Sequence, residues 1–232
     1  QRRLGDVRLA PVVSNPLKII AVGLNYQDHV LESKGTVPEL PVLFAKFQNT
    51  LIGHGDIIQW DPQITREVDY EAELALIIGR ETFNCSEDKA MEAVYGYTCA
   101  NDVSARDLQF GDGQWLRGKS LNTFCPLGPW IVTADEMRDP HNLAIKCILN
   151  GRVMQDSNTG RMIFNIPFLV SFISRHITLT PGDIILTGTP SGVGRFRKPR
   201  VLLQDGDEVT VEIEGIGRLT NRCHTVPLNP SS

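Results

Sequence analysis

The stretch VDYEAELALIIG places acids at every second residue, Asp69, Glu71 and Glu73. Side chains alternate along a strand, so these three share one face while Tyr70, Ala72 and Leu74 share the other. On that segment alone the simpler reading is a solvated edge, because most charged residues are exposed. The continuation over residues 74–78 is apolar on both faces and reads as a central strand, which turns the acids toward a cleft where like charges need a cation. A further carboxylate, Asp102, stands in YGYTCANDVSARDLQ, where a strand-like run gives way to a helix-like stretch. Asp is a common N-cap at such a junction, and capping and coordination can coexist. Together Glu71, Glu73 and Asp102 offer only hard oxygen ligands, a set that suits Mg²⁺, Mn²⁺ or Ca²⁺ and argues against zinc or copper.

Polar groups of opposite character lie close by in sequence. Arg106 and Gln109 are three apart on one helical face beyond Asp102, so a guanidinium and an amide could face one cavity, although an Arg on a surface helix is ordinarily a solvated charge. Lys119, in WLRGKSLNTFCPLGPW, follows a Gly among apolar residues and is a positioned ammonium only if that loop folds inward. In NYQDHVLE, His29 and Glu32 stand at i, i+3 of a helix-like segment, where a lone surface His is the simpler alternative. The remaining histidines, His54, His141, His176 and His224, match no such pair and are read as structural.

Short apolar segments rich in Val and Ile must position these groups: KIIAVGL, ELALIIG, PWIVTA, IKCILNG, DIILTGT and EVTVEIEG. Asn150-Gly151 is a hairpin signal, and Pro181-Gly182-Asp183 and Asp205-Gly206-Asp207 read as strand entries. Helices are expected over residues 25–33, 86–95 with Ser86 as N-cap, 103–110 and 165–175. The expected fold is therefore mainly β with a few helices.

Composition bounds the function. The 232 residues are 41% apolar and 22% charged, ordinary values for a globular chain with a sizeable core. A net charge of -4, from 23 basic and 27 acidic residues, argues against nucleic acid or an anionic membrane as partner. No apolar stretch approaches the roughly 18 residues of a membrane span, and the start QRRLGDVRLA lacks an apolar signal core. The chain begins without Met, as one missing a short leader would. Cys85, Cys99, Cys125, Cys147 and Cys223 are odd in number and widely spaced, which fits small buried residues in a reducing, cytoplasmic compartment.

Eight strings in order, IAVGLNYQDHVLE, PVLFAKFQNTLIG, VDYEAELALIIG, YTCANDVSARDLQ, WLRGKSLNTFCPLGP, NGRVMQDSNTGRMIF, TPGDIILTGTPSGVG and DGDEVTVEIEGIGRLTN, resemble the fumarylacetoacetate hydrolase family. The likeness is to its small single-domain members: acylpyruvases, oxaloacetate decarboxylases and hydroxyheptadienedioate isomerases. It implies a mixed β-sandwich roll of the family's C-terminal-domain type over residues 15–232, leaving residues 1–14 unassigned. It further implies one divalent ion, Mg²⁺ or Mn²⁺ with Ca²⁺ as a substitute, on positions matching Glu71, Glu73 and Asp102. Arg106, Gln109 and Lys119 would lie in the substrate cleft, Lys119 with a catalytic role, and Thr189 in the turn TGTPSGVG would bind substrate. That turn is neither a Walker loop nor a dinucleotide fingerprint, so its backbone N–H groups are expected to hold a carboxylate or enolate oxygen. His29 and Glu32 would ride on a mobile lid and activate water. A homodimer is expected by the same analogy.

The resulting expectation is a metal-dependent hydrolase that cleaves the C3–C4 bond of acylpyruvate-type 2,4-dioxo acids, with the pyruvate enolate held on the ion. Oxaloacetate decarboxylation, or isomerisation of 2-hydroxyhepta-2,4-diene-1,7-dioate, would use the same platform. A non-catalytic module in which an ion merely stabilises a β-rich fold is the alternative of another class, and a closed set of protein ligands would mark it.

Overall fold

The computed structural model describes residues 8–227, and its core is built from two sheets. Seven strands form the first: β1 (Ile19–Gly23), β2 (Val42–Lys46), β3 (Leu51–Ile52), β6 (Ala72–Ile78), β7 (Val94–Asn101), β9 (Cys125–Thr133) and β12 (Ile184–Leu186), in the order β2-β1-β12-β6-β7-β9-β3. Five form the second: β4 (Ile57–Trp60), β10 (Ala144–Leu149), β11 (Arg152–Asn158), β13 (Glu208–Ile213) and β14 (Gly217–Thr225), in the order β11-β10-β13-β14-β4. A short ribbon pairs β5 (Val68–Asp69) with β8 (Ser104–Ala105). Parallel pairs β1–β12, β3–β9 and β4–β14 sit among antiparallel ones, so the sheets are mixed.

The apolar run read as a central strand is β6, flanked by β12 and β7 and buried along its whole length. Its period of two is visible in the packing. Leu74, Leu76 and Ile78 join the large core between the sheets, while Ala75 and Ile77 join a second cluster on the opposite face with Ile19, Ala21, Ile184 and Leu186. Each fully buried Leu or Ile contributes about 1.5–3 kcal/mol. Val12 and Val13 pack on that second cluster, so part of the unassigned N-terminal segment covers the sheet, while residues 1–7 lie outside the described residues.

Local chemistry explains the turns. Asn150 and Gly151 both have positive φ, 50° and 78°, the pair of conformations that a two-residue hairpin between β10 and β11 requires. The helices are shorter than the sequence suggests. They are α1 (Gln27–Ser33), α2 (Glu87–Ala90), α3 (Arg106–Gly111), α4 (Leu116–Lys119) and α5 (Ile166–Ser174). α5 starts as expected, with the Asn165 side chain accepting from Phe168 N and Pro167 in the first turn, and α2 starts directly after Ser86. The helix expected over 86–95 stops after one turn and a 3₁₀ turn, because Val94 and Tyr95 begin β7, and the Ser86 side chain makes no cap bond. The helix expected from residue 103 starts at Arg106, since Ser104 and Ala105 pair with β5. Asp102 is therefore not its N-cap.

Candidate active site

The strand carrying the acids is interrupted at Tyr70 and Glu71, between β5 and β6. Beyond the break, Asp69 shares Arg106 with Glu71 but stands outside the carboxylate triad. Ligand oxygens of Glu71, Glu73 and Asp102 lie within 4.8 Å of one another, all three residues buried, with Asp102 brought in just past the end of β7, antiparallel to β6. The backbone sets this convergence: Asn101 Oδ1 accepts from Glu71 N at 3.0 Å, and Asp102 N donates to Glu71 O at 2.9 Å.

Two ammonium groups hold the cluster from behind. Lys119 Nζ bridges Glu71 Oε2 at 2.7 Å and Asp102 Oδ2 at 2.6 Å. Lys46, at the end of β2, meets Asp102 Oδ1 at 2.6 Å and also donates to the Val103 and Lys119 carbonyls. Lys119 reaches inward because α4 packs tightly on α3: a Cβ on Gly118 would lie 2.5 Å from Gln109 N, so the residue before the lysine must be Gly. Arg106 Nη1 contacts Glu71 Oε1 at 2.6 Å and Gln109 Oε1 at 3.0 Å, while its Nε donates to Asp69 Oδ2 at 2.9 Å. Asp69 also accepts from Gly194 N and Arg195 N, which ties the turn after β12 to the site.

Fully ionised, these charges would not balance. Four buried carboxylates, Asp69, Glu71, Glu73 and Asp102, meet three buried cations, Lys46, Arg106 and Lys119. Burial works to raise the Glu71 carboxyl, yet the Lys119 and Arg106 charges outweigh it and hold the group well below the usual carboxylate range. Glu73 goes the other way: burial, then Asp102 and Glu71, push it well above that range. Among the described residues Glu73 has no ion pair, only the Gly188 N–H at 2.7 Å. A hard divalent cation would supply the missing charge and suits an all-carboxylate donor set, so the residues fit one.

The cluster opens into a cavity of about 310 Å³ lined by Glu71, Glu73, Arg106, Gln109, Lys119 and Thr189 on its polar side and by Phe44, Phe110, Trp115 and Phe196 on its apolar side. His29, on α1, lines it as well and is buried. Its Nδ1 lies 2.9 Å from Glu32 Oε1, and a carboxylate in that place accepts Nδ1–H and leaves Nε2 as the basic nitrogen. Glu32 Oε2 accepts in turn from Gly192 N at 2.8 Å, and Asp28 Oδ2 from Ser157 Oγ at 2.7 Å, so α1 is bonded to the glycine-rich turn and to β11.

All nine site residues read from the sequence therefore converge on one place, with Glu32 standing behind His29. Two details of the glycine-rich turn differ from expectation. Thr189 lines the cavity, but its hydroxyl donates to Ala72 O at 3.0 Å and accepts from Gln155 Nε2 at 2.8 Å, so it fastens the turn to β6. The N–H groups of Gly188, Gly192 and Gly194 are taken by Glu73, Glu32 and Asp69, and hold the protein's own carboxylates where a substrate oxygen was expected. The physical reason is proximity: a buried carboxylate must find donors, and these are the nearest backbone N–H groups.

Sequence reasoning missed Lys46. Its signal was a lone Lys closing the apolar run VLFAK, since a charge buried in a strand needs a buried partner. It also missed the aromatic wall, whose members are scattered in sequence. Cys99, Cys125, Cys147 and Cys223 are buried as expected, whereas Cys85 is only half-buried. Burial pushes the Cys99, Cys125 and Cys223 thiols up to about 12, which keeps them protonated and inert.

Comparison with known proteins places this geometry. Residues 18–224 match the family model described as fumarylacetoacetate (FAA) hydrolase, C-terminal. The chain is 51% identical over 218 residues to the oxaloacetate tautomerase fahd2, mitochondrial, of Xenopus laevis, covering 93% of this chain and 68% of that one. The crystal structure of a 5-carboxymethyl-2-hydroxymuconate delta-isomerase from Mycobacterium smegmatis superposes with a TM-score of 0.85 at 45% identity, covering 96% of this chain and 84% of that one. A fumarylacetoacetate hydrolase from Exiguobacterium antarcticum gives 0.89 at 43% identity, covering 95% and 79%. A solved isomerase and a solved hydrolase thus share this arrangement of strands, a tautomerase shares half of the aligned sequence, and the chain belongs to the fumarylacetoacetate hydrolase family.

Proposed function

We propose that the protein is a divalent-metal-dependent enzyme that moves a proton at C3 of a 2-oxo acid, a keto–enol tautomerase of the oxaloacetate type. The observation that carries this reading is a carboxylate triad at the floor of a cavity that also holds an oriented imidazole and a buried ammonium. The relatives named oxaloacetate tautomerase, about half identical over nine-tenths of the chain, support it.

Glu71, Glu73 and Asp102 would hold Mg²⁺ or Mn²⁺, and the bound ion would withdraw electron density from the 2-oxo group and make the C3 proton more acidic. Nε2 of His29 takes that proton, with Glu32 stabilising the imidazolium through Nδ1–H. As the C3–H bond breaks, its electron pair forms the C2=C3 bond and charge moves to the C2 oxygen. Lys119 stands beside the triad as the ammonium that can stabilise or protonate that oxygen. Gln109, whose Oε1 accepts from Arg106, has its amide nitrogen left to donate to a carboxylate. The apolar wall limits water at the reacting carbon.

Hydrolysis of acylpyruvates is the second reading, and the His29–Glu32 pair favours it, since the same base can deprotonate water for attack at C4. A purely structural ion is disfavoured by the open cavity and the base beside the triad.

The test follows metal-stripped protein resupplied with Mg²⁺ or Mn²⁺, on oxaloacetate, acetylpyruvate and fumarylpyruvate. Enol loss without pyruvate supports the tautomerase. Pyruvate with a carboxylic acid moves the assignment to hydrolysis, pyruvate with CO₂ to decarboxylation, and turnover of none removes the enzymatic reading.

A further inference from the structure

The cavity has a second cationic end that the triad chemistry does not use. The 3₁₀ turn Gly194–Phe196 puts both Arg195 and Phe196 into the cavity wall, and its backbone is fixed by Asp69, which accepts from Gly194 N at 2.8 Å and Arg195 N at 3.0 Å. The Arg195 guanidinium lies 4.3 Å above the Phe110 ring, and Phe110 lines the same cavity. The ring face attracts the cation there, and a guanidinium carries more donors than one carboxylate contact uses. Arg195 Nη1 meets Glu67 Oε2 at 2.7 Å, but Glu67 Oε1 is already held by Arg200 at 3.0 Å. Two guanidiniums therefore share one carboxylate, and this end of the cavity keeps a positive excess.

Charge accounting gives that excess a use. With Glu73 ionised on a divalent ion, four carboxylates, three cations and the ion's two charges leave one positive charge at the floor, enough for the first carboxylate of a 2-oxo acid. A second carboxylate would find no cation left over at the floor. We infer that Arg195 is a specificity-determining residue that binds the distal carboxylate of the substrate, making the site selective for 2-oxo dicarboxylates over 2-oxo monocarboxylates. The inference rests on the cavity being a 2-oxo acid site and names which members of that class it takes.

Calorimetric binding to Mg²⁺-loaded protein tests it without requiring turnover. 2-Oxoglutarate and 2-oxoadipate are compared with 2-oxopentanoate and 2-oxohexanoate, which match them in length and lack the second carboxylate. Wild type should bind the diacids more tightly. Arg195→Gln should lose roughly tenfold or more in affinity for the diacids, as removal of a charge-assisted hydrogen bond does, and less than twofold for the monoacids. Arg195→Lys should recover part of the difference. In turnover, the loss should fall on KM for dicarboxylates with kcat nearly kept. An equal loss for both acid types, in Arg195→Gln and Arg195→Lys alike, overturns the inference and leaves Arg195 a structural partner of Glu67. If wild type binds neither acid type, the 2-oxo acid reading itself falls.

Discussion

The floor and the wall of the cavity are built on opposite principles. At the floor, Glu71, Asp102, Lys46, Lys119 and Arg106 are buried and multiply paired, on strands and helix ends locked by backbone bonds. The wall draws its rings from separate segments, Phe44 on β2, Phe110 on α3, Trp115 just before α4 and Phe196 in the 194–196 turn, with contacts such as Phe44 to Trp115 and His29 to Phe196. Buried ion pairs tolerate no displacement, because breaking one leaves a charge without a partner. Ring contacts can be exchanged at small cost. The difference suggests where family members keep a common chemistry and where they diverge in substrate.

The largest effect should come from the floor. Glu73→Gln removes one of the three carboxylates proposed to hold the ion, and should lower metal-dependent turnover by about a thousandfold or more, with Mn²⁺ binding lost in calorimetry. Retained binding would break the comparison. His29→Ala, at the junction of floor and wall, should lower turnover roughly a hundredfold while Mn²⁺ affinity stays within about twofold of wild type, since general-base removal typically costs 10²–10⁴. Lys46→Met leaves Asp102 short of a partner and should cost about 3–5 kcal/mol of stability, read as a fall in Tm of about 10 °C. Trp115→Ala, by contrast, should change the ratio of kcat/KM between substrates by no more than about tenfold, because the wall sets fit and an aromatic contact is worth about 1 kcal/mol beyond its area.

The smallest effect concerns pH. The Cys99, Cys125 and Cys223 thiols, pushed up to about 12 by burial, stay protonated when folded. Unfolded thiols ionise from about pH 8.5. Their contribution to stability is therefore fully present below that pH and is lost as the pH rises toward 12. Tm measured from pH 7 to 10 should fall above pH 8.5, and less steeply in Cys125→Ala once its own destabilisation is subtracted. Native protein should react first at half-buried Cys85 with a thiol reagent.

Much of the floor was legible because it is local. Alternation at Glu71 and Glu73 is a property of one strand, and the apolar run that follows marks that strand as central. His29 and Glu32 are one helical turn apart, so their pairing is also written in the spacing. The family resemblance added roles to residues already singled out, and Thr189 came from the resemblance alone. What stayed illegible depends on distant contacts. Asp102 as a capping residue was a reasonable local reading, overturned when residues 104–105 paired with β5. Lys46 carried no motif; three strands separate β2 from β7 in the sheet, and only the tertiary contact of Lys46 Nζ with Asp102 Oδ1 joins them.

The sequence by itself determined the fold class and which groups are available for chemistry, since hard oxygen donors, an i, i+3 histidine–glutamate pair and a mainly β pattern follow from residue types and short-range periods. Only the tertiary structure decided who partners whom. It gave the N–H groups of the glycine-rich turn to Glu73, Glu32 and Asp69, engaged the Thr189 hydroxyl with Ala72 and Gln155, and set Arg195 on Phe110 at the cavity wall. Donors and charges in a buried site go to whichever acceptor the packing brings nearest, and that is settled by residues far apart in the chain.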